Sequence, residues 1–319
     1  MELNSIKNRV LNREPISREE ADFLADYPDL NLLCDAANEI SRKFTGRHVD
    51  SCSIINARSG MCGEDCKWCA QASRYKTGCK TYNFVDRDEV MKQAHHNEKA
   101  GVQRFSLVAS GRAITGSDLT TFCDIYKQLS RETNLYLCAS MGLLNYDELM
   151  ELKNSGVKRY HCNMETSSKF FPTLCTTHTP EEKKATIRAA RQAGMEVCSG
   201  GIIGMGETMA DRIDFAFELA ELGVDSVPIN ILSPVKGTPL EDTPLISEED
   251  IIRTVAVWRF ILPTQTLRFA GGRLRLSRES MIRLLNGGIN GSLVGDMLTT
   301  VSNDIESDRK LFHDAGMEF

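Results

Sequence analysis

Two hydrophobic rhythms run along this chain. The stretch up to about Gly46 reads as helices: Ser17-Arg18-Glu19-Glu20 is a capping-box pattern, and an apolar stripe through Phe23 and Leu24 follows it. Beyond it a unit repeats, in which a helical pattern ends at a glycine and a short apolar strand begins at once. Ala100-Gly101-Val102-Gln103-Arg104-Phe105, Ser155-Gly156-Val157-Lys158-Arg159-Tyr160, Ala193-Gly194-Met195-Glu196-Val197-Cys198 and Leu222-Gly223-Val224-Asp225-Ser226-Val227 all have this form. Glycine just past a helix end accepts the left-handed conformation that stops the helix and releases the chain into a strand.

Together with the other apolar runs, the pattern predicts strands over 51–57, 104–109, 135–140, 159–165, 196–201, 226–232, 266–270 and 291–295, with helical patterns between most of them. Alternating βα units imply a parallel sheet with helices outside, and eight of them imply an α/β fold closed as a (β/α)8 barrel. The expected organisation is an N-terminal helical extension (1–46), the barrel (47–301) and a charged C-terminal tail (302–319).

Strand parity then selects the residues that face the lumen. In the fourth strand His161, Asn163 and Glu165 share one face, and Cys162, Met164 and Thr166 the other. Three polar groups on one face, ending at the C-terminal side of a barrel strand, read as a site; the alternative is a hydrogen-bonded polar core. Cys162, on the opposite parity, reads as a small buried hydrophobe. Cys52, Cys138, Cys198 and Arg268 lie on the first, third, fifth and seventh strands. If each points inward, three thiols and a guanidinium meet in one lumen. A lone strand cysteine is ordinary packing, whereas three on separate strands favour a metal cluster. Arg268 by itself reads as an anion holder or a barrel-wall charge.

Composition narrows the function classes. The chain has 319 residues, 41% hydrophobic and 26% charged, with a net charge of −6. That is ordinary globular composition, and the negative balance argues against nucleic acid as a main partner. No apolar run approaches the roughly 20 residues of a membrane helix, and Met1-Glu2-Leu3-Asn4-Ser5-Ile6-Lys7 lacks the apolar core of a signal peptide. Eleven cysteines in such a chain favour reduced thiols and metal ligation over disulfides, so a cytoplasmic protein is expected.

The decisive chemistry lies in Met61-Cys62-Gly63-Glu64-Asp65-Cys66-Lys67-Trp68-Cys69. Three thiolates at Cys-x3-Cys-x2-Cys spacing suit three irons of a [4Fe–4S] cluster and leave one iron without a protein ligand. A structural zinc site would want a second ligand pair at finger distance, and a redox pair would use Cys66 and Cys69 alone. Cys34, Cys79 and Cys123 carry no assigned role, and the adjacent His95 and His96 face different directions on a helix.

This motif, with an aromatic residue before its last cysteine, resembles the radical S-adenosylmethionine (SAM) signature. The following Ala70-Gln71-Ala72-Ser73-Arg74-Tyr75-Lys76-Thr77-Gly78 resembles the biotin synthase family. So do Val197-Cys198-Ser199-Gly200-Gly201-Ile202-Ile203-Gly204-Met205-Gly206-Glu207-Thr208, Ser226-Val227-Pro228-Ile229-Asn230 and Lys236-Gly237-Thr238-Pro239-Leu240. The resemblance runs from about residue 40 to 316. It implies a radical SAM sulfurtransferase: a [4Fe–4S] cluster on Cys62, Cys66 and Cys69, SAM on the open iron, and a 5′-deoxyadenosyl radical. It also implies sulfur insertion into dethiobiotin from an auxiliary iron–sulfur cluster, flavodoxin or ferredoxin as reductant, and a homodimer. By the same resemblance Trp68, Ala109, Glu165, His178, Gly204 and Asn230 are cofactor-binding positions, and His161, Asn163 and Asn230 face the substrate. For His178 a solvated loop residue is the competing reading.

One departure stands out. The family holds its auxiliary cluster with cysteines on strands two, three and five and the strand-seven arginine. Cys138, Cys198 and Arg268 match, but the strand-two position is Ser106. Serine is a poorer iron ligand than thiolate. Cys52, on the neighbouring strand, is expected to take the missing corner. Cys175 in the loop after strand four, or a cluster other than [2Fe–2S] and of higher nuclearity, remain alternatives. Other functions considered are a hydrogenase-maturase-like or methylornithine-synthase-like mutase on the same barrel, and a non-catalytic iron–sulfur or zinc-binding protein.

Overall fold

The computed structural model describes residues 1–295 and 304–319. The strands are β1 (Asp50–Arg58), β2 (Arg104–Ala109), β3 (Tyr136–Ser140), β4 (Arg159–His161), β5 (Glu196–Cys198), β6 (Gly201–Ile203), β7 (Ser226–Ile231), β8 (Thr266–Phe269) and β9 (Gly291–Leu293). Their pairing is parallel throughout, in the order β5-β4-β3-β2-β1-β9-β8-β7-β6. A further pairing of β5 with β7 at Cys198 and Ser226 closes the ring. β5 and β6 are one stave interrupted at Ser199-Gly200, so the barrel has the eight staves expected.

The interruption has a steric cause. The chain past β4 returns to the stave at Glu165, whose backbone N–H donates to the Gly200 carbonyl at 3.0 Å and whose carbonyl accepts from Ile202 at 2.9 Å. A Cβ on Gly201 would sit 2.1 Å from the Glu165 carbonyl oxygen, and one on Gly200 would sit 2.0 Å from that of Pro228. Two glycines let three backbones approach where side chains would hold them apart.

Among the described residues, seven helices lie between the strands outside the barrel: α4 (Arg87–Lys99), α5 (Gly116–Glu132), α6 (Tyr146–Asn154), α7 (Pro180–Gln192), α8 (Met209–Glu221), α9 (Glu248–Ile261) and α10 (Arg278–Leu285). Strand residues of outward parity, such as Phe105, Leu107, Tyr160, Val197, Val227 and Leu267, are buried in one core with these helices. The N-terminal extension forms α1 (Leu3–Leu11), α2 (Arg18–Ala25) and α3 (Leu30–Thr45), packed on α8 and α9. The Ser17–Glu20 capping box forms as expected, with the hydroxyl accepting from the Glu20 N–H and the carboxylate from the Ser17 N–H.

The C-terminal segment differs from the tail expected of it. Residues 304–319 include the helix α11 (Ile305–Asp314), with Leu311 and Phe312 buried, and the Glu318 backbone pairs with Arg47 and Val49 beside β1. Charge dominates the segment's sequence, but its few apolar residues share one helical face, which is enough to dock it. The expected barrel–tail boundary at 301–302 falls among residues 296–303, outside the described residues.

Candidate metal and cofactor site

The mouth of the barrel is built by loops at the C-terminal ends of the strands, as barrel sites generally are. The loop after β1 carries Cys62, Cys66 and Cys69 and folds on itself: Cys62 N–H donates to the Gln71 carbonyl, Ser73 N–H to that of Cys62, and Cys69 N–H to that of Cys66. The loop after β4 holds it down. Lys67 N–H donates to the Leu174 carbonyl, and the Asp65 carboxylate accepts from the N–H groups of Thr176 and Thr177 at 2.9 and 3.2 Å. All three cysteines border one cavity, with Trp68, Ala109, His161, Asn163, Glu165 and His178 around it. Burial pushes the Cys69 thiol up to about 11, a penalty that a bound cation would reverse.

Below the mouth lies a second cavity of about 170 Å³. Its lining follows strand parity: Cys52 from β1, Ser106 from β2, Cys138 from β3, Cys198 from β5 and Arg268 from β8. His161, Asn163 and Asn230 close it from above. The thiols of Cys52 and Cys138 influence one another, which draws Cys52 down and pushes Cys138 up. Cys198 is also drawn down: burial opposes its charge, but the nearby His161 and the guanidiniums of Arg268 and Arg159 prevail. Three thiols, two of them drawn toward thiolate, and two guanidiniums around an enclosed space are a donor set that could hold an iron–sulfur cluster.

Arg268 is fixed from below. It donates to the Asp50 carbonyl at 2.9 Å, to the Ser292 carbonyl at 3.3 Å and to Ser226 Oγ at 3.3 Å, and it pairs with the Asp50 carboxylate. Arg159, which the sequence reading did not single out, lines the same cavity and is braced by Glu196 through bonds of 2.8 and 2.6 Å. The signal was present, since Arg159 shares the parity of His161, Asn163 and Glu165.

Glu165 and Asn230 border a further cavity together with Trp68, Cys69 and Ile202. Asn230 bridges two staves, donating to the Gly201 carbonyl at 3.0 Å and accepting from Gly271 N–H at 2.9 Å. Asn163 donates to Glu165 at 3.3 Å and accepts from Gly200 N–H at 3.0 Å, while Lys183 of α7 reaches the Asn163 carbonyl at 2.9 Å. Burial raises the Glu165 carboxyl against the pull of Lys183 and His161. Gly204 stands apart: it borders none of these cavities, sits against Ile246, and its N–H is bound by Glu207 at 2.7 Å, so Ile202 is the member of that segment facing the cavity.

His178 is not a solvated loop residue. It is 7% exposed, stands edge-on to Phe171 and bonds Glu64. Cys175 lies beside it and against Cys66 at the mouth, and is absent from the lining of the lower cavity, which leaves Cys52 as the extra thiol there.

Residues 58–219 match the radical SAM superfamily and residues 228–318 match the biotin and thiamin synthesis associated domain. The chain is 47% identical to a biotin synthase of Clostridium botulinum (strain Hall), over 98% of either chain. It is 48% identical to a biotin synthase of Porphyromonas gingivalis, over 99% of this chain and 96% of that one. This chain belongs to the biotin synthase family. The crystal structure of methylornithine synthase (PylB) superposes with a TM-score of 0.84 over 98% of this chain and 96% of that one, at 19% identity, a likeness of fold. For a biotin synthase family member the two-tier lumen is coherent, with thiols at the mouth, thiols and guanidiniums beneath, and polar strand-four residues between. Among the described residues no helix is long and apolar enough to cross a membrane.

Proposed function

We propose that this chain converts dethiobiotin to biotin by radical sulfur insertion. Support comes above all from the stacking of Cys62, Cys66 and Cys69 over Cys52, Cys138, Cys198 and Arg268 along one lumen, with His161, Asn163 and Asn230 bordering the space between. When bound, a [4Fe–4S] cluster on the mouth cysteines supplies the electron that cleaves SAM to methionine and a 5′-deoxyadenosyl radical, and an auxiliary cluster on the lower set supplies the sulfur.

The chain's own residues bind, orient and exclude water. Glu165 offers its carboxylate to ribose hydroxyls, and Asn163 holds that carboxylate in place. Trp68 and Ala109 wall the cofactor cavity, and Ile202 takes the apolar contact that the family resemblance would give to Gly204. His178, braced by Glu64, keeps the cysteine loop seated. His161, Asn163 and Asn230 present hydrogen-bonding groups to a ureido-type substrate, and the apolar Ile54 and Leu293 flank them. A closed lumen of this kind keeps water and stray hydrogen donors from a radical. Cys52 takes the corner left by Ser106. A flavodoxin or ferredoxin reductant, a homodimer and a cytoplasmic location belong to the same reading.

Anaerobically reconstituted protein given SAM, dethiobiotin and reduced flavodoxin should yield biotin and 5′-deoxyadenosine by mass spectrometry. Deoxyadenosine without biotin would point instead to a mutase on this barrel. Cys52→Ala should remove the auxiliary iron and sulfide while sparing the mouth cluster; unchanged counts would strike Cys52 from the ligand set.

A further inference from the structure

The loop after β4 brings a cysteine and a histidine against one corner of the cysteine motif. Cys175 Sγ lies 3.8 Å from Cys66 Sγ and 3.3 Å from His178 Nδ1. The ligand atoms of all three residues fall within 4.8 Å of one another. A tetrahedral zinc ion, about 2.3 Å from sulfur and about 2.0 Å from nitrogen, needs donor separations of about 3.8 Å between sulfurs and about 3.5 Å between sulfur and nitrogen. The Cys66–Cys175 and Cys175–His178 separations are close to two edges of such a tetrahedron, and the third pair lies within 4.8 Å. Glu64, whose carboxylate bonds His178 Nδ1 and Thr177 Oγ1, stands behind the imidazole and is not among the mutually close donors, so water would supply the fourth ligand.

The trio is held in advance of any ion. Cys175 is 3% exposed and His178 7% exposed, and the imidazole is fixed edge-on to Phe171 with ring centroids 5.4 Å apart. Asp65 cannot easily swing in as a competing ligand, since Thr176 and Thr177 occupy its oxygens. Without metal, the Cys175 thiol donates to Asp65 Oδ1 at 3.1 Å. Two soft sulfurs and an imidazole select zinc-like ions over the hard divalent cations.

We propose that the cluster-free chain binds one thiophilic divalent ion, of the zinc type, through Cys66, Cys175 and His178, and that this ion and the [4Fe–4S] cluster exclude one another because both require Cys66. Binding releases the two thiol protons to solvent, and no redox change is involved. The ion would hold Cys66 and the two loops together while no cluster is present, and would have to leave before one could be built. The exclusion half rests on the cluster assignment proposed above; the binding half does not.

Protein stripped of iron under reducing, anaerobic conditions and titrated with Co²⁺ tests both. Thiolate-to-cobalt absorption should report a site that Zn²⁺ displaces mole for mole. Cys175→Ser, and independently His178→Gln, should each lose one cobalt equivalent or weaken it at least tenfold. Cys62→Ala and Cys69→Ala should leave that equivalent in place, and Cys52→Ala controls for thiols in the lumen. Retention in Cys175→Ser would overturn the proposal, as would its loss in Cys62→Ala and Cys69→Ala. Zinc-loaded wild-type protein should rebuild its cluster several-fold more slowly than zinc-treated Cys175→Ser protein, and equal rates would overturn the exclusion. Absence of biotin formation would bear on the proposed activity and leave the cobalt result standing.

Discussion

Asp50 shows how much of this site depends on single charges. It lies at the floor of the lumen, where it receives Arg104 through bonds of 2.9, 2.9 and 2.7 Å and pairs with Arg268. Burial alone would raise its carboxyl, but Arg268 and Arg104 together hold it well below the usual carboxylate range. A carboxyl with a depressed folded pKa adds stability above its unfolded value, near 3.9, and loses it as the pH falls through the folded one. Asp50→Asn should therefore cost about 3 kcal/mol at pH 7, because it strands a buried guanidinium. Thermal melts should show that deficit shrinking below about pH 4; a constant deficit down to pH 2 would mean the charge is not its source. The cysteine motif was readable from sequence because its three thiols lie within eight residues of one loop. The Cys66–Cys175 contact was not, since 109 residues separate the partners.

Strands and helices emerged from local pattern, with one instructive exception. The fourth and fifth strands were expected to run unbroken over 159–165 and 196–201, yet regular pairing stops at His161 and Cys198. Glu165 has φ of 75°, a left-handed backbone unusual for a side chain of its size, and the neighbouring glycines accept its close approach. That detour turns the Glu165 carboxylate into the cavity. Gly201→Ala should push the two segments apart, costing about 1–3 kcal/mol as other overpacked sites do. It should also weaken SAM binding about tenfold in equilibrium dialysis; wild-type affinity would show that Glu165 is positioned by other contacts. Alternation predicted which side chains face inward, but not where the backbone would leave the ladder. That depends on which carbonyls a distant stave presents.

Closure of the molecule draws on its last residues. α11 docks through Asp308, fully buried, which receives Arg273 at 2.8 and 2.7 Å, while the Arg273 guanidinium also reaches the Leu293 carbonyl of β9 at 3.2 Å. The segment is thereby linked to the last stave of the barrel. Asp308→Ala leaves that guanidinium buried without its carboxylate and should destabilise the fold by about 3–5 kcal/mol in denaturant titration. A loss below about 1 kcal/mol would mean that the helix is held by Leu311 and Phe312 instead. Charge-rich composition had suggested a tail, because the partner that makes Asp308 worth burying lies 35 residues earlier in the chain.

Sequence alone determined the barrel, its eight staves, the mouth cysteines and the inward thiols, since periodicity, glycine stops and short motif spacing are properties of neighbouring residues. Tertiary structure decided which of those thiols share a cavity, that Cys175 and His178 stand at the mouth beside Cys66, that Arg159 joins Arg268 below, and that Gly204 faces away. These are contacts between staves and loops far apart in the chain, fixed by backbone register and by the pairing of buried charges, and no local pattern encodes them.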